Sequence, residues 1–116
     1  MKYILFLTVF ACFLALSCNS TVDSLGDENL NIKTKNSAVI LSNKSEKVIY
    51  YVLMESELAT RVDIHPDFTS WPSIKAGAKI TIPYSEIMGY EKSSKEAWIT
   101  WQMEGGGSGG SLNFKL

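Results

Sequence analysis

Cysteine is almost missing from this chain of 116 residues, and the two copies present, Cys12 and Cys18, both lie near the amino terminus. The region after Cys18 therefore offers no thiol for a disulfide, a nucleophile or a metal. Histidine occurs once, at His65, so no second imidazole is present to complete a tight zinc site. Charge of one sign is not in excess: 11 Lys+Arg stand against 12 Asp+Glu, net −1, with the lysines scattered. Nucleic acid as a partner is not expected, because neutralising phosphates needs clustered cations. No apolar run reaches the roughly 20 residues that a spanning helix requires. No serine sits in a Gly-x-Ser-x-Gly elbow between strand and helix. The glycine run from Gly105 to Gly110 lacks the Lys-Ser/Thr and the helix start that a phosphate cradle needs. No catalytic residue and no cofactor is expected on these grounds.

What the chain does have begins with a basic start, Met1-Lys2, and an uncharged apolar stretch from Tyr3 to Leu16. Small residues follow, and the sequence turns polar at Asn19. These are the parts of a secretory signal. The break, Leu14-Ala15-Leu16-Ser17-Cys18, resembles the lipobox of bacterial lipoproteins. The resemblance implies cleavage before Cys18, diacylation of its sulfur and acylation of the new amino terminus. It also implies a bacterial cell envelope location, in the outer membrane or at the cell surface. Ala15-Leu16-Ser17 also has the small-x-small form of ordinary secretory cleavage. Cys12 is a poorer cleavage point, because Phe13-Leu14-Ala15-Leu16 would stay exposed. Two or more buried acyl chains, each at about 0.8 kcal/mol per methylene, hold a protein on a membrane without further help.

Residues 18–36 read as the acylated cysteine and a flexible polar tether, too poor in apolar side chains to offset the entropy of ordering. Within them Asp23-Ser24-Leu25 resembles the Asp-Ser/Thr-apolar site of O-glycosylation in exported Bacteroidota proteins, with Ser24 as acceptor. From Ser37 the pattern changes. Ala38–Leu41 and Lys47–Met54 flank the turn Asn43-Lys44-Ser45-Glu46, which suggests a hairpin. Lys47–Met54 is apolar on both faces, so it should be a central, covered strand. Arg61–His65 alternates, as do Lys79–Ile82, Glu96–Met103 and Leu112–Leu116. Glu55–Ala59 and Tyr84–Met88 each have room for one helical turn. The sum is an all-β domain over residues 37–116, a small antiparallel β-sandwich or barrel of about six strands. The Cys…Trp…Cys marker of an immunoglobulin-like domain is absent, so that topology stays open.

Two sets of side chains carry candidate chemistry. Asp63, His65 and Asp67, two apart on a strand, would share one face and present an imidazole and two carboxylates to a cation. The same alternation also describes the wet side of an edge strand. Trp71, Tyr90 and Trp98, with Phe68 and Tyr84, fall in loops or on an outer face, where aromatic platforms stack on partners. Capping the open ends of a sandwich is the other use for such residues. Paired acids, Glu55 with Glu57 and Glu91 with Glu96, are ordinary at exposed positions. The sequence thus suggests a membrane-anchored binding or structural module, with an envelope protein or glycan as partner. The alternative is an envelope or extracellular hydrolase or metal-dependent enzyme.

Overall fold

The computed structural model describes residues 24–107 and 109–116; Cys18 and the signal and lipobox segment expected around it lie outside them. Among the described residues eight strands run in the order β1 (Leu25–Gly26), β2 (Leu30–Lys35), β3 (Ala38–Asn43), β4 (Ile49–Glu55), β5 (Ser73–Ile74), β6 (Lys79–Pro83), β7 (Glu96–Met103) and β8 (Gly110–Lys115). A single helical turn, α1 (Ser56–Ala59), follows β4. The strands form two four-stranded antiparallel sheets, β1-β2-β3-β6 and β5-β4-β7-β8. The domain is an all-β sandwich. The chain crosses between sheets after β3, β5 and β6. That gives the A-B-E and C′-C-F-G order of an immunoglobulin-type Greek key, with β1 added before strand A.

Alternation decides which side chains meet. Leu30 and Ile32 of β2 and Val39 and Leu41 of β3 are fully buried. From the other sheet come Ile49 and Leu53 of β4, Ala97, Ile99, Trp101 and Met103 of β7, and Phe114 of β8. Each large apolar side chain so buried contributes about 1.5–3 kcal/mol. Burial pushes the Tyr51 phenol, at the edge of this core, above its ordinary pKa. Trp101 leaves its indole Nε1 buried without a partner among the described residues. Its ring lies so close to β8 that a Cβ on Gly110 would come within 2.6 Å of it. The last residue of the run Gly105–Gly110 must therefore be glycine for Trp101 to pack.

Three expectations are corrected. The tether does not extend to Asn36. Gly26, at φ 102°, and the Asp27 carboxylate, which accepts the Asn29 and Leu30 amides at 2.8 and 2.9 Å, make a turn that pairs β1 with β2. Asn36 and Ser37, at φ 53° and 58°, then form the two-residue turn joining β2 to β3. Second, β3 and β4 are not a hairpin. They lie in opposite sheets. Third, Arg61–His65 is no strand; it belongs to an irregular connection between α1 and β5. β4 is internal to its sheet, as its two apolar faces suggested. Glu96–Met103 and the alternating carboxy-terminal run are strands β7 and β8, with their expected inward faces.

A fragment beginning at Asn36 lacks β1 and β2 and leaves one side of β3 bare. It is expected to be unfolded by circular dichroism. In the full chain, Ile32→Ala is expected to cost about 2–5 kcal/mol in urea denaturation.

Candidate aromatic groove

The outward face of the β5-β4-β7-β8 sheet carries Trp98, Thr100 and Gln102 from β7, opposite Met54, Val52 and Tyr50 of β4. A bare face of this composition would expose tryptophan and tyrosine to water. Instead the connection between α1 and β5 folds over part of it. Met54 is buried although it belongs to no part of the interior cluster, consistent with a covered outer face.

The covering loop is held by its own polar groups. The backbone amide of Asp67 donates to His65 Nδ1 at 3.1 Å, which leaves the ring proton on Nε2. The Asp67 carboxylate accepts the Thr69 amide at 3.1 Å and its hydroxyl at 2.5 Å, capping the short 3-10 turn Phe68–Ser70. The Thr69 hydroxyl and amide hold the Asp67 carboxyl below the ordinary carboxylate pKa, with a smaller contribution from His65. Trp71 donates its indole N–H to the His65 carbonyl at 3.1 Å. Phe68 packs between Tyr50 and Trp71, with ring centroids 5.6 and 6.3 Å away. At the far end the Tyr51 amide donates to the Pro72 carbonyl at 3.0 Å, fastening the loop to β4.

Between loop and sheet lies a shallow groove of about 280 Å³. Its walls include Phe68, Trp71 and Trp98, its polar positions are His65, Thr100 and Gln102, and among the described residues no lysine, arginine, aspartate or glutamate lines it. Trp71 and Trp98, separate in the sequence, are brought together here. Tyr90 is not. It packs against Tyr84 at 5.8 Å between centroids and covers an edge of the core. The Asp63, His65 and Asp67 set is not assembled either. Its premise was a strand that does not form, the Asp67 carboxylate is spent on Thr69, and no three potential metal ligands cluster among the described residues. Ser24 is exposed, and its hydroxyl donates to the Asn31 side-chain oxygen.

No family model, curated protein or solved structure matches this chain.

A larger hollow of about 960 Å³ lies elsewhere, where α1 meets the segment before β7. It gathers Glu55, Glu57, Glu91 and Glu96 with Arg61 and Lys95. Three of its charges, those of Glu55, Glu57 and Arg61, have local uses. Glu55 caps α1 by accepting the Glu57 and Leu58 amides, both at 2.9 Å, and those bonds lower its pKa. Glu57 meets Arg61 at 3.5 Å with both side chains mostly in water, an arrangement worth little. The smaller groove is the better candidate because its unused groups converge on one place. Gln102 was legible as a neighbour of Trp98 from the alternation of β7. Phe68 and Ile64 enter only through a loop conformation with no sequence period.

Because folding lowers the Asp67 pKa, its contribution is present above the ordinary carboxylate value of about 4 and is lost as pH falls through the lower folded value. The Thr69 amide and Trp71 indole resonances are expected to shift together in that acid window. Asp67→Ala should move both at neutral pH while leaving the Ile99 amide in place.

Proposed function

We propose that this chain is a lipid-anchored binding module of the bacterial cell envelope, taking its ligand in the groove between Trp71 and Trp98. The observation that carries the binding reading is the convergence of three aromatic side chains and unused polar groups on an uncharged surface hollow. The groove lies on a sheet face, and a sheet is a rigid platform for side chains that must keep their geometry. His65 lines the groove, and the one carboxylate close to it, that of Asp67, is taken by the Thr69 amide and hydroxyl, so the arrangement supports recognition more than acid–base hydrolysis.

The anchor reading rests on the apolar stretch Tyr3–Leu16 and the Ser17-Cys18 break. With β1 starting at Leu25, the span from Cys18 is at most about 25 Å at full extension. An acylated Cys18 would therefore hold the β1–β2 edge of the sandwich close to the headgroups.

Two measurements test the proposal. Wild-type chain expressed in cells should incorporate a fatty-acid analogue and fractionate with membranes, and Cys18→Ser should do neither. An unlabelled wild type would overturn the anchor. For the groove, extracts of envelope components should shift the tryptophan emission of the wild type far more than that of Trp98→Ala. Equal shifts would move the site elsewhere.

A further inference from the structure

The groove's chemistry narrows its ligand. An anionic ligand would need a cation in the walls, and a cationic one a carboxylate; neither is among the lining residues. A purely apolar ligand would leave the polar side of the groove unpaired. The free polar groups are neutral. The Gln102 side-chain amide offers two donors and an acceptor, and it makes no hydrogen bond among the described residues. His65 has its Nδ1 occupied, so Nε2–H is its remaining donor. Thr100 differs: its hydroxyl already donates to the Gly110 carbonyl at 3.1 Å and accepts from Ser111 at 2.9 Å. It fixes β8 against β7 more than it offers a contact.

Aromatic faces beside amide and imidazole groups, without charge, complement a ligand with an apolar face and a rim of hydroxyls. A pyranose ring has that form: its axial C–H face stacks on indole, and its equatorial hydroxyls exchange hydrogen bonds with amides. The volume of about 280 Å³ falls just below the roughly 300–1,000 Å³ of sites for drug-sized ligands, enough for one ring and too small for an extended polymer segment. Resting on the groove as binding site, we propose that this chain recognises one neutral pyranose unit of a glycan, stacked on Trp98 and hydrogen-bonded by Gln102 and His65. A polyproline peptide is the other ligand that aromatic grooves take, but it docks across a longer row of aromatic ridges. Here the row ends at the polar positions Thr100 and Gln102.

The test uses full chain in a sugar-free zwitterionic detergent and reads tryptophan emission. The probes are chitotriose, maltotriose and xylotriose, with a proline-rich decapeptide as the competing ligand. At least one trisaccharide is expected to give a saturable shift, weakened about tenfold or more by Trp98→Ala. Gln102→Ala should weaken it as well while leaving the thermal midpoint within a few degrees of wild type. It serves as the second variant if Trp98→Ala does not fold. If only the decapeptide binds, and Trp98→Ala abolishes that, the sugar assignment is overturned and the groove reading stands. If neither class of probe moves the emission, or if binding is indifferent to both substitutions, both readings are overturned.

Discussion

The side-chain amide of Asn43, only 2% exposed, reaches from the end of one sheet and spends its hydrogen-bonding capacity on the turn that follows it and on β5 of the other sheet. Asn43 is the last residue of β3. Its Nδ2 donates to the Lys47 carbonyl at 2.8 Å, to Ile74 of β5 at 2.9 Å and to Lys75 at 3.2 Å. Its Oδ1 accepts the Ser45 amide at 2.9 Å and hydroxyl at 2.7 Å. A buried polar group is tolerated only when satisfied in this way, and removing one partner leaves others unpaired at about 1–3 kcal/mol each. The consequence reaches the groove. β5 is two residues long and pairs with β4 over Ile49↔Ile74 and Tyr50↔Ser73 alone. Asn43 supplies the second hold on it. Trp71 lies just before β5, so one wall of the groove depends on a strand that an amide in the opposite sheet keeps in place.

The loop above the groove follows the same economy. Apart from the 3-10 turn Phe68–Ser70 it has no regular hydrogen bonding among the described residues, so side chains satisfy much of its backbone: His65 for the Asp67 amide, Asp67 for Thr69, and the Trp71 indole for the His65 carbonyl. These bonds fix Phe68 and Trp71 before any ligand arrives. A site ordered in advance loses less entropy on binding, which matters most for weak ligands such as single sugar rings. Two of the three polar residues that resembled a metal set in sequence, His65 and Asp67, are thus the framework of an aromatic surface.

Legibility in the sequence followed backbone period. β7 and β8 were readable because Ala97, Ile99, Trp101 and Met103, then Leu112 and Phe114, alternate cleanly with polar residues. Leu30-Asn31-Ile32-Lys33 alternates as well, but its two apolar residues sit in a polar neighbourhood, and their complete burial depends on β3 and the opposite sheet. Arg61–His65 alternates without any partner strand; there Ile64 turns toward the groove and Val62 stays 37% exposed. Local pattern could not separate these cases, since pairing is decided by distant chain. The same limit hid the role of Asn43, which reads as one more turn residue, and joined β3 to β4 as a hairpin when the chain crosses between sheets at that point. Trp98 was legible as an outward aromatic on a polar face. Its partners Phe68 and Trp71 depended on the loop.

Amide hydrogen exchange in Asn43→Ala addresses the tie most directly. The reporter is the Tyr51 amide, which donates to the Pro72 carbonyl just before β5. The Ile99 amide, in the centre of the sheet, is the internal reference. Removal of the Asn43 amide is expected to speed exchange at Tyr51 and in Phe68–Trp71 well beyond the change at Ile99. If Tyr51 stays as protected relative to Ile99 as in the wild type, β5 and the groove wall do not hang on Asn43, and the account is contradicted.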